Sequence, residues 1–174
     1  MTRKPVPENV VRLTNRVLDA AFALHTEVGP GCLERVYEVA LTRDLKDMGL
    51  RVERQRPIPF EYHGERMEVA FRADLIVEDA LIVEIKAVTQ LLAVHQSQVR
   101  TYLRLSGLPV GVLLCFGSQH LRDGYDRLVH PDYTFLPPSR IPSAAGATGD
   151  AGPREQAPQG TRPPSYASSV VKPG

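Results

Sequence analysis

Cysteine is scarce in this sequence. Cys32 and Cys115 are the only two and stand 83 positions apart, so there is no C-x-x-C pair from which to build a zinc ribbon or a dithiol redox centre. Two isolated thiols read instead as small core hydrophobes in a reducing compartment. Long apolar runs are missing too. The longest, VGVLLCF at 110–116, falls far short of the roughly 20 residues a membrane-spanning helix needs. The first residues, MTRKPVPENVVRL, are basic without a continuous apolar segment; no secretory signal is expected, and the expected compartment is the cytoplasm. Neither sign of charge dominates: 21 Lys and Arg against 20 Asp and Glu leave a net charge of +1. Whole-molecule charge therefore gives no pull toward nucleic acid, membrane or acidic partners. A polyanion would have to be met by a local patch or through metal ions. No internal repeat is present.

What remains is a chain of 174 residues, long enough for one domain with a real core. Its composition changes at Pro137. Residues 137–174 hold eight prolines and five glycines and almost no large aliphatics, so they cannot offset their ordering entropy and are expected to be disordered. The expected folded domain is 1–136.

Within that domain, residues 8–28 place Val10, Leu13, Val17, Ala20, Ala21, Leu24 and Val28 at helical spacing. GPG at 29–31 ends this helix. A second runs from about Leu33 to Met48, with Val36, Tyr37, Ala40, Leu41, Leu45 and Met48 on one face and Gly49 as its cap. Residues 51–62 are extended but interrupted by Pro57 and Pro59, which suits an edge strand or a bulge. His63-Gly64 turns the chain into a strand from Met67 to Val77, and Glu78-Asp79 turns it again into Leu81–Lys86. A helix from about Leu91 to Leu105 and a last buried strand, VGVLLCF, complete an α/β domain with helices against a mixed sheet.

The second and third of these strands raise a question. ADLIVEDALIVEIKA, residues 73–87, is apolar enough to be buried on both faces, yet it holds Asp74, Glu84 and Lys86. Buried charges need a partner or a metal. Strand alternation puts Glu84 and Lys86 on one side, and the tight turn at 78–79 makes the preceding strand their neighbour, so Asp74 can sit beside Glu84. Two adjacent carboxylates repel unless a cation neutralises them. Magnesium or manganese fits such hard oxygen donors. The backbone carbonyl of Ile85 could add a third ligand, and Lys86 could hold or polarise an attacking water. Taken alone, a Glu-x-Lys triplet is an ordinary strand salt bridge.

Other residues point the same way. His95, Gln98 and Tyr102 share one face of the following helix, although Tyr102 by itself reads as core. GPGCLERVYEVAL places Glu34 and Tyr37 at the start of the second helix, where Glu34 also complements the helix dipole.

Gly31-Cys-Leu-Glu34-Arg-Val-Tyr37 resembles the motif that names the small bacterial GxxExxY family, and the likeness runs through about residues 10–117. That family is similar to the PD-(D/E)XK nuclease superfamily, whose restriction-endonuclease-like core runs α-β-β-β-α-β. By position, Asp74 matches the superfamily's metal aspartate, Glu84-Ile85-Lys86 its ExK element, and Glu34 the acidic residue of the first core helix. Gln98 to Tyr102 is similar to the Q-x-x-x-Y signature of RecB-like nucleases. One departure is Ala73, where the superfamily's name has proline; no ligand is lost by it.

The resemblance implies hydrolysis of a phosphodiester, with DNA as the substrate and magnesium or manganese as the cofactor. Asp74 and Glu84 would hold the ion, Glu34 would join through a water or merely anchor its helix, and Lys86 would orient the nucleophile. Gln98 and Tyr102 would steady Lys86 or contact a phosphate. Arg51, Arg54, Arg56, Arg66, Arg72, Arg100 and Arg104 could add backbone contacts. A different class of function, a catalytically silent scaffold that binds nucleic acid or a protein, would keep the fold without needing the ion. Hydrolysis of another phosphate ester is a third alternative. A chain this small would choose its substrate by shape, by forming a homodimer or through a protein partner.

Overall fold

The structure is a computed structural model that describes residues 3–135. The segment 137–174, expected to be disordered, lies outside the described residues.

Helix α1 (Glu8–Val28) buries Val10, Leu13, Val17, Ala21 and Leu24, the stripe its spacing foretells. Val28, expected on that stripe, is exposed at its end. Helix α2 (Glu34–Asp47) buries Tyr37, Leu41 and Leu45 but also Glu38 and Thr42, while Val36 and Met48 are exposed. The expected apolar face was therefore rotated from the true one. The reason is non-local: Arg54, from the next strand, donates to Glu38 Oε1 at 2.9 Å, which lets a carboxylate occupy the buried face.

Five strands form one sheet in the order β2-β3-β4-β5-β6. They are β2 (Val52–Tyr62), β3 (Glu65–Val77), β4 (Leu81–Lys86), β5 (Val110–Cys115) and β6 (Tyr125–Val129), with a separate two-residue pair, β1 (Lys4–Pro5) beside β7 (Tyr133–Thr134). β2, β3 and β4 are antiparallel neighbours. β4 and β5 are parallel, joined by the crossover helix α3 (Ala93–Ser106). β6 closes the far edge antiparallel to β5. As expected for a proline-bearing strand, β2 lies at the sheet edge, and its register shifts between Ile58 and Phe60.

Helices α1 and α2 cover one face of the sheet and α3 the other. Leu75, Val83, Ile85 and Val112 pack with α1 and α2. Ile76, Ile82 and Leu113 pack with Val99, Tyr102 and Leu103 of α3. Alternation along β4 thus points Glu84 and Lys86 toward α3. Gly111 lets that helix approach, since a Cβ there would stand 2.5 Å from Val99 Cγ1. Cys115 is buried as expected, whereas Cys32 is only partly so, and both are free thiols. No helix among the described residues is long and apolar enough to cross a membrane.

Candidate active site at the β3–β4 fork

The turn between β3 and β4 puts both Glu78 and Asp79 at positive φ, 52° and 53°. Hydrogen bonds hold this uncommon conformation. Glu78 Oε1 accepts the Arg51 N–H at 2.7 Å, and Asp79 pairs with Arg51 and Arg56. The turn sets the register Val77↔Leu81, Ile76↔Ile82 and Leu75↔Val83. There the ladder stops. β3 diverges, and Asp74, next in line and opposite Glu84, continues the pairing with its side chain: Oδ2 accepts the Ile85 N–H at 2.8 Å. Its Oδ1 accepts from Gln55 Nε2 at 3.1 Å.

Glu84 is 2% exposed. One oxygen accepts from Lys86 Nζ at 2.7 Å, while Oε2 is buried without a partner. Burial, followed by the charge of Asp74, pushes the Glu84 carboxyl up to about 7 despite the Lys86 ammonium. Burial also raises the Asp74 carboxyl, against the hydrogen bonds from Ile85 and Gln55. Burial alone would lower Lys86, but its bond to Glu84 and the charges of Glu84, Asp74 and Glu34 raise it on balance, so it stays a cation at neutral pH.

Helix α3 brings Tyr102 to this group. Gln98 Nε2 donates to the Tyr102 hydroxyl at 2.6 Å, which leaves the phenolic O–H free to donate onward. Burial raises Tyr102 and keeps it protonated, and its titration feels Glu84, Lys86 and Asp74. His95, on the same helix, faces elsewhere in function: its Nδ1 accepts the Leu92 N–H at 3.1 Å and caps the helix start.

Glu34 Oε1 accepts the Ala87 N–H at 3.1 Å, one residue past the end of β4. Tyr37 is fully buried and stacks on Phe116 with centroids 4.4 Å apart. Its hydroxyl donates to the Gly29 carbonyl at 2.7 Å and accepts the Cys32 N–H at 3.0 Å. The Gly31–Tyr37 segment therefore fastens the α1–α2 loop to the end of the β4 strand.

Two contributors, Gln55 and Glu38, escaped the sequence reading, and Arg54, expected as a backbone contact, is paired with one of them. Gln55 restrains Asp74 from a backbone at φ 51°, and nothing in a strand rich in charged residues marks that conformation. Glu38 and Arg54 form an ion pair whose carboxylate also acts on Asp74. The signal for Glu38 was available: it stands one helical turn after Glu34.

Asp74, Glu84 and Lys86 are thus brought together, with Tyr102 adjoining. Among the described residues no three His, Cys, Asp or Glu side chains form a ready-made metal cage. The donor set still fits a hard divalent ion. A buried carboxylate oxygen with no partner is costly, and two carboxylates completed by waters and substrate phosphates are a common way to hold magnesium.

The chain belongs to the PD-(D/E)XK nuclease superfamily, whose sequence profile matches residues 11–128. Its mixed sheet with flanking helices is the restriction-endonuclease-like α/β fold of that superfamily. Among solved structures, the crystal structure of SSO0001 is similar at 19% identity with a TM-score of 0.46, over 71% of this chain and 62% of that one. No curated protein matches the chain.

Proposed function

We propose that this protein is a metal-dependent nuclease that hydrolyses phosphodiester bonds of DNA, and that within its superfamily it belongs to the GxxExxY group. The observation that carries this is the buried, unpartnered Oε2 of Glu84 beside Asp74 and Lys86. Asp74 and Glu84, with the Ile85 carbonyl and with Glu34 through a water, would hold Mg2+ or Mn2+, which polarises a phosphoryl oxygen and acidifies water when bound.

The chain's own groups do the rest. Lys86, kept protonated by its three carboxylate neighbours, donates to the attacking water's oxygen and stabilises negative charge as it gathers on the phosphoryl oxygens. Asp74 is locked by Ile85 and Gln55, so it needs no reorganisation when substrate arrives. Tyr102, whose hydroxyl already accepts from Gln98, directs its own proton to a phosphate oxygen.

The test is cleavage of linear, circular, single-stranded and branched DNA with magnesium or manganese, using wild type, Asp74→Ala and Lys86→Ala. Metal-dependent cleavage lost in both variants is expected. Wild-type protein that leaves every substrate intact with either metal would turn the conclusion to the silent scaffold.

A further inference from the structure

Between α3 and β6 runs a groove of about 640 Å³ whose lining includes Arg3, Arg100, Arg104, Arg127 and His130 and no carboxylate. Among the described residues several arginines elsewhere are paired internally, although Arg122 lies over the Phe22 ring and Arg16 reaches only the Met48 carbonyl. Arg51 and Arg56 meet Asp79, Arg54 meets Glu38, and Arg66 meets Glu68; Arg72 donates to the Gln55 carbonyl. Among the described residues Arg100 and Arg104 have no carboxylate partner, and Arg104 reaches only the Thr101 hydroxyl, at 3.3 Å. Arg127 donates to the neutral Asn15 amide at 3.0 Å. Asp132 stands near His130, its carboxylate 3.9 Å from Nδ1. Among the described residues Asp132 is thus the acidic group at the groove's rim, and the lining itself carries none, which concentrates positive potential there.

We infer that this groove is a docking track for the phosphate backbone of a nucleic-acid strand, outside the reacting centre. The inference deepens the nuclease reading and rests on it for the choice of polyanion. Two features favour nucleic acid over an acidic protein. The cations are arginines, with no lysine among the lining residues, and the guanidinium fork matches phosphate oxygens two at a time. Also, α3 carries Arg100 and Arg104 on the flank toward β6 and Gln98 and Tyr102 on the flank toward the fork. A helix with its side chains is roughly 10 Å thick, so one strand crossing α3 touches both flanks. Contacts of this kind position the strand without reading its sequence.

The experiment measures fluorescence anisotropy of labelled single-stranded and duplex oligonucleotides of arbitrary sequence, in EDTA, across a salt series. The proteins are wild type, the Arg100→Gln/Arg104→Gln double variant, and Arg12→Gln/Arg43→Gln, which removes the same charge from exposed pairs on α1 and α2. The groove variant should bind about tenfold or more weakly, with its log K against log salt slope smaller by about one to two. The control pair should change little. Unchanged affinity and slope in the groove variant, equal loss in the control, or displacement of the oligonucleotide by polyglutamate at matched charge overturns the inference. Hydrolysis of a small aryl phosphodiester with manganese separates the two claims. Wild type that binds through the groove but hydrolyses nothing removes the nuclease reading alone. Cleavage with groove-independent binding removes the groove alone.

Discussion

Asp74 Oδ2 accepts the backbone N–H of Ile85 at 2.8 Å, so a carboxylate stands where the β3–β4 ladder would otherwise place a carbonyl. The side chain has a structural task and a chemical one, and two substitutions separate them. Asp74→Asn keeps an acceptor for Ile85 and should leave stability within about 1 kcal/mol of wild type. Asp74→Ala strands a buried N–H and should cost about 1–3 kcal/mol. Both should abolish cleavage. Urea unfolding gives the first comparison and a DNA cleavage assay the second; equal stability of the two variants would refute the structural task.

Glu84 gives a pH dependence with a definite sign. Its folded carboxyl titrates at about 7 against an ordinary 4.5, chiefly through burial. Protonation is therefore easier in the folded state. The stability it contributes is fully present below pH 4.5 and is lost as pH rises through 7, by an amount on the order of 3 kcal/mol. Asp74, also raised, adds to the same trend, while Lys86, raised above its usual range, titrates outside this window. Metal-free wild type should melt at falling temperature from pH 4.5 to 7.5, relative to Glu84→Gln, which lacks the titration. Magnesium should offset the loss at the alkaline end. Parallel melting curves for the two proteins across that range would count against a buried, titrating Glu84.

Tyr37 belongs to the motif that suggested the family, yet its contacts are those of an anchor. Its hydroxyl satisfies the Gly29 carbonyl and the Cys32 N–H. Tyr37→Phe removes both bonds and keeps the stacking on Phe116, so it should destabilise by about 1–3 kcal/mol. Cleavage per folded molecule should fall less than tenfold. A loss as deep as that of Asp74→Ala, at full folding, would make Tyr37 part of the chemistry.

These roles show what could be read from the chain. The order of helices and central strands was legible because Leu81–Lys86 and Val110–Phe116 are apolar runs bounded by turn residues. The turn at 78–79 made Asp74 and Glu84 possible neighbours, and the register that joins them, Leu75↔Val83, came from the structure. β6 was missed: Tyr125–Val129 is short, carries Asp126 and Arg127, and is only partly buried. It exists because β5 offers it an edge, which no local pattern announces. Gln55 was missed for the same kind of reason, since a left-handed backbone within a strand is imposed by what it holds. The buried face of α2 was misjudged because Glu38 is buried by Arg54, 16 residues away.

Lys86 tests whether the cation at the fork serves the metal site or the chemistry. Its ammonium bonds Glu84 Oε1 at 2.7 Å in a pair whose side chains are 16% and 3% exposed. Removing it leaves a buried carboxylate, so metal-free Lys86→Ala should be destabilised at pH 8, by about 3–5 kcal/mol for an uncompensated buried charge. At pH 5.5, where Glu84 is mostly protonated, the cost should be much smaller. Manganese should restore stability, because a divalent ion replaces the missing positive charge. Calorimetric titration should then find manganese bound by Lys86→Ala at least as tightly as by wild type, since a competing cation has gone, and not bound by Asp74→Ala. Cleavage by Lys86→Ala should still fall on the order of 10²–10³-fold, the usual loss when a donor to developing negative charge is removed. Manganese binding lost as fully in Lys86→Ala as in Asp74→Ala would mean that the lysine holds the carboxylates in place, and its part in activating water would have to be abandoned.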